Sequence, residues 1–390
     1  MTVLIILVVL FSIIIGVHMG YPLLLKCISR KKLAKSSEDA TAAGDLYESH
    51  SDFPLVSVII PVYNEELVIE RRINNIFESS YPGKKMEVII VDSGSKDRTS
   101  SIVQEKFGNR VILLQEEERK GKAHAINLAI NKCRGEILII TDGPTLYSSD
   151  TIRQLVFSLG NSSVGAVTAL YEIPNASENQ ITSSEHAYWS YKDKIRILES
   201  KAHSTSWLSG EACAFRKEIV SKVDEDTLAD DANIALQTLS RGYRAFVNEN
   251  CFFSEKSPSE FYDYFRIKTR RTLGGLIETL RFKSLLFNPR YGYFGLIIFP
   301  YRFFAQFISP VLTFATIAIA IPTIIEIATY FGIYVVLISA AALLYLGLRF
   351  RYRAISYIYL QLITSIALFL LVTRRVRVDW AQSKTTRIPN

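Results

Sequence analysis

Apolar positions fall into three regimes along the chain. Residues 3–25 and most of 293–373 are nearly continuous apolar stretches, whereas the segment between them alternates apolar runs with charged positions. About 20 apolar residues suffice to cross a bilayer, so 3–25 predicts a membrane helix. Its basic flank, Lys26, Arg30, Lys31 and Lys32, follows the span. That charge bias places the N-terminus outside and the next domain in the cytoplasm. No Lys or Arg precedes the stretch and no small-residue cleavage pattern follows it, which disfavours a removable signal peptide. The C-terminal region offers spans near 304–328, 332–348 and 355–372. Three crossings would leave Arg374, Arg375 and Arg377 outside, against the same rule. The pattern therefore demands a re-entrant segment or an additional short pass near Pro300 and Pro310.

Between the apolar regions, residues 31–54 are small, polar and aperiodic and read as a linker. Beyond them come five β-branched apolar runs: VSVII around 57–60, EVIIVD at 87–92, VILLQ at 111–115, EILIIT at 136–141 and VGAVTAL at 164–170. Helical patterns such as 65–78 and 122–133 separate the first four. Short apolar runs alternating with helices predict an α/β domain with a mostly parallel sheet covered by helices on both faces. The expected organisation is an anchor (1–30), the linker (31–54), a cytoplasmic catalytic domain (55–258), amphipathic interfacial helices (259–292), a membrane region (293–373) and a cytoplasmic tail (374–390).

Composition sharpens this picture. The 390 residues are 49% hydrophobic and 21% charged, which excludes a disordered or collagen-like chain. The net charge of +7 raises the possibility of nucleic acid. Much of the excess, however, flanks the apolar stretches, where it would hold anionic membrane lipids instead. No nucleic-acid partner is expected. Cys27, Cys133, Cys213 and Cys251 show no CxxC spacing, so neither zinc nor a disulfide framework is predicted.

Ligands of open parallel sheets bind at the carboxyl ends of the strands, and the informative residues fall there. The first strand runs into Pro61, Tyr63 and Glu65, with Pro61 read as ending the ladder and Asn64–Glu65 as a helix start. The second ends at Asp92, with Gly94 allowing a tight turn. Gly121 opens a helix whose amides, with Lys120 or Lys122, favour a phosphate. The fourth ends at Asp142, close to Asp92 if their strands are neighbours. Two carboxylates, a glycine turn and lysines at one sheet edge suit a nucleotide diphosphate with Mg²⁺, which binds through one or two carboxylates plus phosphates.

Taken in order, SVIIPVYNEE, VDSGSKDRT, KGKAHAIN, ILIITDG, SGEACAFRKE, LADDANIALQTLSRGYR and YFRIKTRRTLGG resemble glycosyltransferase family 2, the inverting nucleotide-sugar transferases that include cellulose, chitin and hyaluronan synthases. The W-x-x-x-KT-x-R at 380–387 looks like the tail of membrane-bound members. The resemblance implies a GT-A-like, Rossmann-type fold and a membrane-bound enzyme at the cell membrane. Its donor would be a UDP- or GDP-linked sugar, its acceptor a lipid or glycolipid, and its cofactor Mg²⁺ or Mn²⁺. Pro61, Tyr63 and Glu65 would line the nucleobase and ribose pocket, and Asp92 would hold the base with Lys122 nearby. Asp142 would be the first carboxylate of the metal motif. Asp231, second of the Asp230–Asp231 pair, would be the general base. Arg266 and Arg270, one turn apart on a helix face, would meet the leaving diphosphate. Trp207, Gly210 and Glu211 would face the acceptor.

Two departures stand out. Pro144 occupies the place of the second metal carboxylate, and Ile267 and Arg271 replace the Gln and Trp of the Q-x-x-R-W motif. Arg271, about 100° round the helix from Arg270, is expected to face lipid head groups. Loss of that Trp favours single-sugar transfer over a processive polysaccharide synthase. Pro144 motivates a further alternative, a non-catalytic scaffold. A nucleotidyltransferase is disfavoured because it has little reason to carry membrane spans.

Overall fold

The computed structural model describes residues 2–35, 53–331, 337, 341, 357–374 and 385–387. At its centre, β1 (Val56–Val62) is buried along its whole length. Such a strand needs apolar cover on both faces, and alternate side chains supply it. Val58 and Ile60 join one core with Ile69, Ile73 and Ile76. Ile59 joins the other, with Ile126, Ala129, Ile234 and Leu236.

The remaining strands are β2 (Met86–Asp92), β3 (Ile112–Gln115), β4 (Ile137–Ile140), β5 (Leu146–Tyr147), β6 (Val164–Glu172), β7 (Cys213–Arg216) and β8 (Arg244–Ser254). They form one eight-stranded sheet in the order β3-β2-β1-β4-β7-β6-β8-β5. β1 to β4 are mutually parallel and β6 pairs parallel with β8, while β7 runs antiparallel between β4 and β6. The five strands expected from sequence all form. The apolar pattern did not announce β7, inserted between β4 and β6, nor β8 and β5 at the far edge.

Two local expectations change. Pro61 does not end β1; it lies inside the strand opposite Val91. The β1–β4 ladder stops at Ile59, so the missing Pro61 amide faces a flank that no longer needs a donor. And β2 and β4 are not neighbours, because β1 lies between them. At roughly 4.8 Å per strand, Asp92 and Asp142 stand on separate flanks of β1.

The soluble helices are α2 (Ile69–Phe77), α3 (Thr99–Phe107), α4 (Lys122–Ile130), α5 (Thr151–Ser158), α6 (Gln180–Ala202), α7 (Asp230–Ser240) and α8 (Phe261–Arg281). Before them runs α1 (Thr2–Lys35), which extends past the expected anchor boundary. The rest of the expected linker, 36–52, lies outside the described residues.

After α8 come π-helical Phe294–Ile298, α9 (Phe299–Phe303), π-helical Phe304–Ile308, α10 (Ser309–Phe331) and α11, the apolar helix Tyr357–Val372. Val3–Arg30 and Phe294–Glu326 are each long and apolar enough to cross a membrane. Many of their apolar side chains, among them Ile5, Val8, Phe11, Val311 and Ile321, point away from the protein. The expected span 332–348 lies almost entirely outside the described residues.

These helices are continuous with the α/β domain. Leu25, Phe294 and Phe299 belong to the same core as Ile59. Tyr21 of α1 donates to Glu199 of α6 at 2.6 Å and stacks on Tyr301, ring centroids 3.5 Å apart. α8 was expected at an interface with Phe265, Leu273, Leu276 and Leu280 as its apolar face. Instead Leu273 and Leu276 pack against Ala367 of α11, while Leu280 is exposed.

Candidate active site

Strand order reverses beside β1. The chain steps outward to β2 and β3, then returns to β4 on the other flank. A crevice opens at such a switch point. Pro61, Tyr63, Glu65, Arg119, Asp142, Gly143, Pro144, Glu255 and Arg387 line a cavity of about 50 Å³ there. The Arg119 guanidinium lies 4.2 Å over the Tyr63 ring. Arg387, in the turn Thr385–Arg387, donates from Nε and Nη2 to the Glu65 carboxylate at 2.7–3.0 Å. Burial raises the Glu65 pKa and Arg387 opposes the rise.

A second cavity of about 220 Å³ shares Asp142 with the first. Lys122, Gly210, Glu211, Asp230, Asp231, Arg270 and Arg271 line its polar end. Tyr188, Trp189, Lys192, Trp207 and Lys268 form one wall, and Gly275, Ala305, Gln306, Leu360 and Thr364 reach in from α8 and the apolar helices. Gly121, at φ 104, starts α4 so that Lys122 projects into this cavity. The Lys122 Nζ lies 2.8 Å from Asp142 and 3.1 Å from Asp230. Burial opposes the charge on Lys122, but the two carboxylates outweigh it and raise its pKa. Gly210 permits this approach: a Cβ there would sit 3.2 Å from the Lys122 Nζ.

Asp230 and Asp231 differ although adjacent. Asp230 is paired with Lys122, whereas Asp231 accepts, among the described residues, only the Ala232 amide, at 2.7 Å. Burial, with Asp230 and Glu211 close by, pushes the Asp231 carboxyl up to about 6. A general base is most effective with a pKa near the working pH, and Asp231 is the one so placed. Arg270 reaches the cavity with no carboxylate in contact among the described residues. Burial and neighbouring Arg271 lower its pKa.

The sequence-derived residues thus divide. Asp142, Lys122, Trp207, Gly210, Glu211, Asp230, Asp231 and Arg270 share the larger cavity, and Pro61, Tyr63 and Glu65 share the smaller with Asp142. Asp92 lines neither. Its Oδ1 accepts the Ser95 amide at 2.9 Å and its Oδ2 accepts the Ser100 hydroxyl, closing the turn around Gly94. Gly94, at φ 73, packs against the backbone of Glu116–Glu118. Lys122 is committed to Asp142 and Asp230 rather than to Asp92.

Arg266 pairs with Asp263 at 3.0 Å and lines neither cavity. Arg271, expected at lipid head groups, turns inward and donates to Glu211 at 2.7 Å. Trp207 carries a cation on its ring, Arg302 at 4.2 Å, and a second, Lys192, at 4.3 Å. Glu255, Arg387 and Lys192 were not singled out from sequence; only the 380–387 motif pointed toward one of them.

No group of three His, Cys, Asp or Glu side chains is arranged for a metal among the described residues. Asp142 and Glu255 do meet in the smaller cavity, where Glu255 accepts the Thr145 hydroxyl at 2.7 Å. Burial, Glu211 and Asp142 push the Glu255 carboxyl up to about 8. Glu255 is short of positive charge and Asp142 has Lys122 beside it; these two hard oxygen donors fit a cation completed by substrate phosphates.

Residues 57–224 match the model of Glycosyl transferase family 2. The fold resembles that of a mannosyltransferase, PcManGT from Pyrobaculum calidifontis, solved in complex with GDP-Man and Mn²⁺. The TM-score is 0.72 at 25% identity, covering 95% of this chain and 100% of that one. The chain is 25% identical over 284 residues to the probable glycosyltransferase YdaM of Bacillus subtilis, covering 68% of this chain and 66% of YdaM. It is 26% identical over 197 residues to a beta-monoglucosyldiacylglycerol synthase of Trichormus variabilis, covering 49% and 42%. Residues 57–224, which carry the switch-point crevice, are thus a glycosyltransferase family 2 domain. The chain spans two-thirds or less of the length of these two curated relatives.

Proposed function

We propose that this protein is a membrane-bound inverting glycosyltransferase that moves one sugar from a nucleotide-diphosphate sugar to a lipid-embedded acceptor hydroxyl. The observation that carries the reading is the larger cavity. It begins at Asp142, Lys122 and Asp231 and ends among Ala305, Gln306, Leu360 and Thr364 of helices that expose apolar surface. One space therefore adjoins both the nucleotide crevice and the apolar helices, as an acceptor with a lipid tail requires.

The nucleoside lies at Tyr63 and Arg119, and its diphosphate extends toward Asp142. Asp142 and Glu255 would hold Mg²⁺ or Mn²⁺, which supplies charge neutralisation of the departing diphosphate. The PcManGT complex contains GDP-Man and Mn²⁺, which favours a guanine nucleotide as the first donor to try. Arg270, without a carboxylate in contact, supplies a further positive charge at the leaving group. The acceptor hydroxyl attacks the anomeric carbon from the side opposite the diphosphate. The new C–O bond forms as the C–O bond to phosphate breaks, and the hydroxyl proton passes to Asp231.

The test is a screen of UDP- and GDP-sugars with Mn²⁺ or Mg²⁺ on detergent-solubilised protein, reading donor hydrolysis and transfer to lipid extracts. Turnover of one donor, lost in Asp231→Asn, is expected. No hydrolysis or transfer from any donor overturns the reading, and long oligomers among the products would replace single addition by a synthase.

A further inference from the structure

The wall of the larger cavity is built in an unusual way. Trp189 and Trp207, the two indoles that line it, both lie against the same ammonium, with Lys192 Nζ at 4.4 Å and 4.3 Å from their ring centroids. Arg302 lies 4.2 Å over Trp207 from α9, so that ring meets two cations. What the wall presents is a cation on an aromatic bed.

That cation has no acceptor of its own. Lys192 makes no hydrogen bond or ion pair among the described residues, although its ammonium carries three donors. The neighbouring cations are already spoken for: Lys268 pairs with Glu185 at 2.8 Å, Arg196 with Asp193 at 3.2 Å and Arg271 with Glu211 at 2.7 Å. Asp231 faces Lys192 from α7 beyond ion-pair distance. Burial, then Arg196 and Lys268, depress the Lys192 pKa to about 7. An anion arriving at this wall would relieve both penalties.

We propose that the acceptor carries a phosphate ester and that Lys192 binds it, with Trp189 and Trp207 holding the ammonium in place. This inference rests on the glycosyltransferase reading and narrows its acceptor class from any membrane hydroxyl to a phosphate-bearing one. Lys192 sets acceptor selectivity; Asp231 remains the base.

The experiment uses the full chain in detergent with its best donor. It compares kcat/KM for a phosphate-linked lipid glycoside with that for a neutral glycolipid of the same sugar. The wild type is expected to favour the phosphate-linked acceptor. Lys192→Gln should lower that ratio roughly tenfold or more, the scale of one charge-assisted hydrogen bond, and Lys192→Arg should restore most of it. Inhibition by a soluble glycosyl phosphate, weakened in Lys192→Gln, supports a phosphate site open to soluble ligands. Inhibition by the lipid-linked form alone supports a site that also requires the lipid. A wild-type preference for the neutral acceptor, or an unchanged ratio in both variants, overturns the assignment. Donor hydrolysis by the wild type is read in parallel: if it is present, the failure belongs to Lys192 alone, and if it is absent, the glycosyltransferase reading fails first.

Discussion

Replacing Asp231 by Asn should make the protein more stable and less active at once. The carboxyl of Asp231 is held at about 6, against an ordinary aspartate value of 3.8, by burial, Asp230 and Glu211. The folded state thus holds this proton more tightly than the unfolded chain does. Its contribution to stability is complete below about pH 3.8 and is lost as pH rises through 6. A rise of roughly two units corresponds to at most about 3 kcal/mol of penalty at pH 8. Asn is nearly isosteric and uncharged, so Asp231→Asn removes most of that penalty at pH 8 and almost none at pH 4. The same substitution deletes the base, which is worth roughly 10² to 10⁴ in rate. Thermal melts of both proteins at pH 8 and in the mildly acidic range should show a gain in Tm confined to the higher pH. The wild-type rate should climb through about pH 6 and then level. A variant less stable at pH 8, or a wild-type rate flat across pH 6, would refute the argument.

Further outcomes follow from other contacts. Lys122→Met strips the ammonium from Asp142 and Asp230 and should destabilise the fold by about 3 kcal/mol, read as a lowered denaturation midpoint. Glu255→Gln and Asp142→Ala should each weaken Mn²⁺-dependent nucleotide binding tenfold or more by calorimetry, with nucleotide affinity in chelator little changed. Arg271→Met leaves Glu211 without its guanidinium at 2.7 Å. It should raise the acceptor KM, whereas Arg266→Met, at a residue that lines neither cavity, should leave kinetics within about twofold.

The parallel half of the sheet was legible because its strands are long β-branched runs with helices between them. β7 offers only Cys213, Ala214 and Phe215, too short a run to separate from a buried loop. In β8 the polar Asn248-Glu249-Asn250 interrupts the apolar pattern, and the pairing with β6 shifts register between Thr168 and Leu170. Asp231 and Asp142 could be placed because a helix start and a strand end fix where those side chains stand. Asp92 stands at a strand end too, but the following Ser95 and Ser100 satisfy it locally. The sides of α8 were misjudged for Arg266 and Arg271 because helical spacing shows which residues share a face, not where that face points. That direction is set by Ala367, a hundred residues away. Glu255 belongs to no motif and enters the site through the pairing of Ser254 with Leu146 and Glu172.

The bond between Arg387 and Glu65 also fixes a parity. The polypeptide leaves the catalytic domain after α8, passes through the apolar region, and comes back to put its guanidinium on a carboxylate beside β1. A path that ends on the side where it began crosses any intervening sheet an even number of times. A membrane crossing by Phe294–Glu326 would therefore require a matching return before Thr385.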